Sequence, residues 1–527
     1  MTAADIDLKT TAGKIADLSS RLKEAHAPLG EESIEHIHAA GRSTARERIE
    51  ALLDEGSFVE IDALARHRAT DFAADKQRPA TDGVVAGYGT VEGRKVCVFA
   101  QDGTIFDGQM GEVHGEKIIK VIELAAKTGV PLIGFHEGAG ARLVEGIVPL
   151  AMQARILRLL TRASGLVPHI AVLSGETSGA QAFIPSLADI LVMVGEEASL
   201  HLTEPDVVRT VTGVETDALG LGGPEVHLRE SGTAHLSAGS DSEATDTLRD
   251  LLSRLPVNNR ALAPRVEGGV EESAAAELDA LIPDSSSAPY DMKDVLRRVV
   301  DDGDLLELQA EYAPNIITAL ARIDGRSVGI VANQPTEVAG CLNDQAAAKA
   351  ARFLRTMDSF NLPIVEFVDV PGFQPALEEE HGTVLRRGAS LAYAYAEAEV
   401  GKVTVIVRRA MGPGYVLMGS KDLGADLVYA WPTAEIAAQE ASGAVRTLYR
   451  SELEKAARQG KDTDEMMRSY EQEYAEKYVG PYIAAERGLV DAVIPPSETR
   501  KHLIDGLELL DRKISYPPAK KHGNMPL

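Results

Sequence analysis

Two short glycine-bearing turns are the places where this sequence could hold a reacting oxygen. Gly175-Glu-Thr-Ser-Gly179-Ala180-Gln follows the apolar run HIAVLS and leads into an apolar helix start, and Met411-Gly412-Pro413-Gly414-Tyr415 follows KVTVIVRRA. Small residues at such a turn let a ligand oxygen approach bare backbone N–H groups, and the aligned peptide dipoles of a helix start favour developing negative charge. That is the chemistry of an oxyanion hole. A tight strand-to-helix turn needing glycine for its dihedrals explains one such motif equally well. Its recurrence at a corresponding place in the chain moves the balance toward function.

Other constellations lead less far. His136-Glu137-Gly138-Ala139-Gly140-Ala141-Arg142 contains a G-x-G step but no third glycine, and His136-Glu137 lacks the second histidine of H-E-x-x-H. A nucleotide loop and a metal site are therefore not expected, and a satisfied polar pair at a strand end is. Gly175-Glu-Thr-Ser178-Gly is not G-x-S-x-G, and 13 scattered histidines define no Ser-His-acid order. Arg42, Arg46 and Arg48 are interleaved with Glu47 and Glu50, which reads as a salt-bridged helix face before it reads as a contact for a CoA phosphate.

The turns must be carried by a repeated scaffold. TVEGRKVCVFAQ, GEKIIKVIELAAKTG and VPLIGFHE match RIDGRSVGIVAN, DQAAAKAARFLRTMDSFN and LPIVEFVD, and Gly93/Gly325, Lys117/Lys349 and Pro131/Pro363 all share one and the same separation along the chain. A fixed offset of this kind marks two copies of one fold. Short apolar runs (Val96 to Ala100, Leu132 to Phe135, Ile170 to Leu173, Ile190 to Val194) alternate with helical stretches, which predicts an α/β class with buried strands. The spacing predicts a helix over Glu116 to Thr128 with Ile118, Ile119, Ile122 and Ala126 on its buried stripe. Ser451 to Val479 reads as one charged surface or interface helix. The acidic, Ser- and Pro-rich stretch 262 to 290 reads as a crossing, giving domains 1–265 and 291–527 joined by a linker 266–290.

Composition removes whole classes of function. Of 527 residues, 54 are Lys or Arg and 80 Asp or Glu, a net charge of −26 that repels nucleic acid and anionic membrane surfaces. Hydrophobic residues at 44% and charged residues at 25% belong to a folded globular chain. Cys97 and Cys341 are too few for a disulfide framework or a cysteine-rich metal site, and neither a signal peptide nor a transmembrane run is apparent. A cytoplasmic location is expected.

Several stretches, STARERIEALLDEGSF, DGVVAGYGTVEGR, VGIVANQP, KAARFLRT, FVDVPGFQP, GSKDLGADLVYAWPTAEIA, AAERGLVDAVI and the terminal KKHGNMPL, together resemble the carboxyltransferase β subunit of biotin-dependent acyl-CoA carboxylases of the propionyl-CoA carboxylase type. The resemblance spans most of the chain. It implies two tandem crotonase-like domains of the ClpP/crotonase superfamily, with an acyl-CoA entering along the first. It implies further that carboxybiotin is presented along the second from a separate biotin carboxylase/biotin carrier subunit. A trimer-of-dimers hexamer with active sites between opposing domains is implied as well. The activity implied is transfer of a carboxyl group from carboxybiotin to the α-carbon of an acyl-CoA, with backbone holes stabilising the thioester and ureido oxygens and no side-chain base. On this resemblance Gly179, Ala180, Pro413 and Gly414 are the catalytic positions, and Gly140, Ala141, Tyr415 and Val416 bind substrate, Val416 at a position linked to acyl choice. No A/V-M-K-M tetrapeptide surrounds Met292-Lys293, so biotin would come from the partner.

Departures from the family's pattern fall on the turns themselves. Ser178-Gly179-Ala180-Gln181 stands where A-G-G-A is usual, and Gly412-Pro413-Gly414-Tyr415-Val416 where G-G-A-Y-D is usual; Asp107 replaces a glycine. Pro413 has no N–H to donate. Two alternatives follow: a biotin-independent CoA-thioester enzyme (decarboxylase, hydrolase or acyl transferase), or a non-catalytic β-type subunit.

Overall fold

The computed structural model describes residues 7–269, 272–285 and 288–526, which divide into two compact units, one ending at Leu262 and the other beginning at Ala263. In the first, β1 (Val59–Glu60), β2 (Val84–Val91) and β3 (Arg94–Gln101) pair antiparallel. The sheet continues in parallel through β4 (Leu132–Ala139), β5 (His169–Ser178) and β6 (Ile190–Val194), while β7 (Ser199–His201) pairs with the end of β5 and β8 (Leu236–Ala238) closes on β6. The second unit repeats the plan. An antiparallel β9 (Leu305–Leu308), β10 (Ile316–Ile323) and β11 (Arg326–Asn333) lead into parallel β12 (Ile364–Val370), β13 (Lys402–Met411) and β14 (Leu427–Ala430), with β15 (Glu435–Ala437) on β13 and β16 (Ala492–Val493) on β14.

The equivalence extends to single residues. Leu132 opposes His169 in the first unit and Ile364 opposes Lys402 in the second. In both sheets the central register slips at the same step, between His136 and Gly138 and between Val368 and Val370, so that β5 and β13 each run ahead of their neighbour. A bulge re-aims a strand end. Beyond it β5 exchanges β6 for β7 and β13 exchanges β14 for β15, and each strand then runs into a glycine turn.

Central parallel strands are covered on both faces, which is why ILVMV of β6 and IVEFVDV of β12 read as nearly unbroken apolar runs and are buried throughout. Their crossovers are the helices Glu112–Thr128 and Asp344–Ser359, the first stopped by Gly129 at φ 66° and the second capped by Asn343, whose side chain accepts from the Ala346 N–H at 2.9 Å. The first helix starts at Glu112, one turn before the expected Glu116. Its buried face adds Val121 and Ala125 to Ile118, Ile119 and Ile122, and Ala126 is only partly covered, because the helical period carries the stripe past it.

Each crossover helix sends one lysine into the interior. Lys117 Nζ donates to the carbonyls of Thr81 (3.1 Å) and Val84; Lys349 Nζ donates to those of Gln309, Tyr312 and Ile316 (2.8 Å each) and Ala313 (3.3 Å). Thr81 (φ 68°) and Ala313 (φ 44°) are left-handed turn residues whose carbonyls already accept one backbone N–H each, from Val84 and from Ile316 at 3.1 Å, and the buried ammonium adds a second donor. Burial pulls both ammonium groups below the ordinary lysine value, Lys117 to about 8 and Lys349 to about 7.

Two segments differ from expectation. Ser451 to Val479 is broken into helices Arg450–Arg458 and Thr463–Tyr478, because Gly460 adopts φ 68° and Asp462 caps the second by accepting from the N–H groups of Asp464 and Glu465. The stretch 266–290 joins the second unit in part: the Val266 N–H donates to Gly325 O at 3.0 Å, and Leu278 is buried in the cluster of Leu296, Phe367 and Trp431. Among the described residues no helix is long and apolar enough to cross a membrane.

Candidate active site

Gly179 follows β5 at φ 63° and opens a single 3-10 turn, Gly179–Ala182, ahead of the short helix Phe183–Ser186. Any other L-residue is strained at that φ, which is why glycine stands there. The turn faces Gly140, whose Cα would lie 3.7 Å from a Cβ on Gly179; Gly140 itself is at φ 74° with open space where its own Cβ would project. Gly179, Ala180, Gly140 and Ala141 are all half-buried, so backbone is within reach of a ligand on this rim. Ala141 is fixed by a single parallel bridge to Met110.

Gln181 holds the rim together. Its Nε2 donates to Gly140 O at 2.5 Å and Gly108 O at 3.3 Å, and its Oε1 accepts from Gln101 Nε2 at 2.8 Å. The sequence singled out this glutamine only as a departure from pattern; the structure makes it the tie between Gly140 and the next turn.

In the second unit Gly412 follows β13 at φ 50° and Pro413 occupies the first turn of the helix Gly412–Leu417. Proline is tolerated there because the N–H it lacks has no intrahelical acceptor in any residue. Within the helix, the N–H groups left without an intrahelical acceptor are those of Gly412 and Gly414. Gly414 is buried against Val370 and Gly372, with no room for a side chain: a Cβ would fall 2.8 Å from Val370 Cγ2 and 3.2 Å from Gly372 Cα. Gly372, at φ 145°, is the counterpart of Gly140 in the repeat that pairs Gly93 with Gly325, and plays the same part. The Tyr415 hydroxyl is buried without a hydrogen-bond partner, and burial raises its pKa, whereas Val416 projects half-exposed. Thus Gly179 and Gly140 come together in one unit, and Gly414 approaches the Gly140 counterpart in the other.

His136 and Glu137 are not a pair, contrary to expectation. As adjacent strand residues they face opposite sides of the sheet. His136 packs edge-on to Phe99 at 5.3 Å and burial lowers its pKa to about 3; Glu137 binds Arg42 at 2.8 Å and Arg48 at 3.0 Å. The basic cluster is ion-paired as expected, but across the fold rather than along its helix: Arg48 also reaches Asp241 at 3.1 Å and Arg46 binds Glu60 at 2.8 Å, while Glu47 completes a capping box with Thr44. The glycine usual at Asp107 has a conformational reason: Phe106, Asp107 and Gly108 are all left-handed (φ 54°, 54°, 66°), as are Val338, Ala339 and Gly340 (φ 47°, 55°, 78°) in the second unit. Aspartate is among the residues that tolerate this region.

In each of the two sheets an equivalent central strand thus ends in a left-handed glycine turn, Gly179 at φ 63° and Gly412 at φ 50°. Comparison with known proteins gives the class. Residues 36–525 match the family described as the carboxyl transferase domain. The chain is 53% identical, over all of its length and 97% of the relative's, to the biotin-dependent acetyl-/propionyl-coenzyme A carboxylase beta5 subunit of Mycobacterium tuberculosis. It is 44% identical, over 99% of its length and all of the relative's, to the methylmalonyl-CoA decarboxylase subunit alpha of Veillonella parvula. Among solved structures it superposes on transcarboxylase 12S, a hexamer crystallised with hydrolysed methylmalonyl-coenzyme A, with a TM-score of 0.95 and 41% identity over 99% of this chain and 100% of that one. The chain belongs to the carboxyl transferase family. It is an acyl-CoA carboxyltransferase built from two tandem crotonase-like domains.

Proposed function

We propose that this protein is the β-type subunit of a biotin-dependent acyl-CoA carboxylase, moving a carboxyl group between biotin on a separate carrier protein and the α-carbon of a short acyl-CoA. The duplicated left-handed glycine turn carries this reading: Gly179 and Gly412 follow equivalent strands after equivalent bulges. In the first unit the N–H groups at Gly179 and Ala180 hold the thioester oxygen and stabilise it as it takes on enolate charge, with Gly140 and Ala141 forming the opposite wall. In the second unit the orphaned Tyr415 hydroxyl and the first-turn N–H groups fit a neutral ureido group, and with Pro413 unable to donate, Gly414 holds its oxygen. Biotin, when presented, supplies the carboxyl group and a basic ureido nitrogen, so this chain needs no general base of its own. Val416 lines the acyl side, and the subunits assemble as a hexamer, as transcarboxylase 12S does.

The methylmalonyl-CoA decarboxylase relative favours the same transfer run in reverse, since one set of holes serves both directions. The reverse half-reaction is therefore the test: methylmalonyl-CoA mixed with this protein and a biotinylated carrier should yield carboxylated carrier and propionyl-CoA without ATP. Propionyl-CoA formed at the same rate without the carrier would instead establish the biotin-independent decarboxylase.

A further inference from the structure

Glu176 and Ser178 lie at the end of β5, His201 ends β7, and Glu204 follows it; the parallel pairing of β5 with β7 sets Ser178 opposite His201. His201 Nδ1 lies 3.1 Å from the Thr203 carbonyl oxygen. A carbonyl only accepts, so in the neutral ring Nδ1 carries the proton and Nε2 keeps its lone pair. That Nε2 is buried, with only 2% of the side chain exposed, and no hydrogen bond reaches it. It stands 3.3 Å from Glu176 Oε1. A lone pair facing a carboxylate oxygen at that range is repulsive unless positive charge sits between them. Glu204 closes the cluster: one donor atom from each of Glu176, His201 and Glu204 lies within 4.8 Å of the others. Glu204 Oε1 accepts from Ser178 Oγ at 2.8 Å, an outer contact of the kind that orients a ligating carboxylate.

We propose that Glu176, His201 and Glu204 form a binding site for a divalent transition-metal cation, with Zn²⁺ the best match. One imidazole nitrogen and two carboxylate oxygens suit Zn²⁺, which binds them at about 2.0–2.2 Å, better than Mg²⁺ or Ca²⁺, which take all-oxygen sets. The two glutamates are exposed and can swing inward to those distances, while His201 is fixed by Thr203. Three protein ligands leave a coordination position open. The site adjoins the first glycine turn through Ser178, the residue before Gly179.

The test uses the full-length protein free of any polyhistidine tag, dialysed against chelator and titrated with Zn²⁺ alone in competition with a chromophoric chelator, with Co²⁺ as a visible-spectrum probe. The expected result is one tight Zn²⁺ per chain. Affinity should fall about 10–100-fold in Ser178→Ala and by at least that much in Glu204→Gln and His201→Gln, with no change in the surface control His522→Gln. Glu204 is at the surface, so Glu204→Gln tests the site without disturbing the interior, and circular dichroism verifies the fold of each variant. Failure of the wild type to take one Zn²⁺ per chain, or retention of that Zn²⁺ by both Glu204→Gln and His201→Gln, would overturn the proposal.

Discussion

Glu137 and Asp369, counterparts in the internal repeat, perform the same task in their own units: each lies at the register slip of its strand and clamps two guanidinium groups. Glu137 binds Arg42 and Arg48, and Asp369 binds Arg408 and Arg409 at 2.9 Å each. The backbone N–H of each donates to a side-chain amide oxygen of the preceding strand, Gln101 at 3.3 Å and Asn333 at 3.2 Å, which are themselves repeat counterparts. Against each carboxylate residue's carbonyl lies a glycine, Gly108 or Gly340, that leaves no room for a Cβ. These clamps fix the strand ends that carry Gly140 and Gly372 to the glycine turns.

Breaking a clamp should destabilise the fold by leaving buried guanidinium unpaired. Asp369→Asn, at a fully buried position, is expected to cost about 3–5 kcal/mol. Glu137→Gln should cost less, since Arg48 keeps Asp241 and Arg42 still donates to Ser174 O at 2.9 Å. Urea midpoints of the two variants should rank in that order; equal midpoints would argue against the clamp.

The first hole is probed at Gly179 and Ala180. Gly179→Pro removes the N–H and cannot adopt φ 63°, and kcat should drop about 10²–10³-fold, the usual loss for one oxyanion donor. Ala180→Gly keeps the donor and widens the approach, so turnover should hold or rise. Unchanged steady-state turnover in a folded Gly179→Pro variant would mean that the hole lies elsewhere.

At the second hole, Pro413→Gly restores a donor and should raise the carboxylation rate with a biotinylated carrier. The accompanying loss is a looser turn, because the ring no longer fixes φ. A lower carboxylation rate at unchanged thermal stability would show that Gly414 alone suffices and that the proline's rigidity matters more.

Much of this architecture was legible in the sequence, since Gly93/Gly325, Lys117/Lys349 and Pro131/Pro363 mark turns and buried contacts that tolerate few residue types. The clamps were not: glutamate and aspartate of different length, paired with arginines from different elements, leave no shared motif. Glu47 and Glu50 were the nearest acids along the chain to Arg42, Arg46 and Arg48, but the partners proved to be Glu137, Asp241 and Glu60, brought in by tertiary packing. The metal cluster was equally hidden, because His201 and Glu204 meet Glu176 only through the pairing of β5 and β7.

Glu366 gives the second unit a pH signature. It is fully buried on β12 beside Tyr395, and burial raises its carboxyl from an ordinary 4.5 to about 8. Between those values the folded protein holds a proton that the unfolded chain has released, so Glu366 makes stability fall as pH rises from about 4.5 to about 8. Glu366→Gln should flatten that dependence, and the difference in urea midpoint between variant and wild type should grow in the variant's favour from about pH 5 to about pH 9. A constant difference would place the titration elsewhere.

Transfer of label tests the carboxyltransferase reading most directly. Purified protein, a biotin carboxylase/biotin carrier subunit, ATP and labelled bicarbonate are incubated with acetyl-, propionyl- and long-chain acyl-CoA, and acid-stable label in the thioester is counted. The predicted result is label in acetyl- or propionyl-CoA that depends on the carrier and falls about 10²–10³-fold with Gly179→Pro. No label in any acyl-CoA while the carrier itself becomes carboxylated would contradict it.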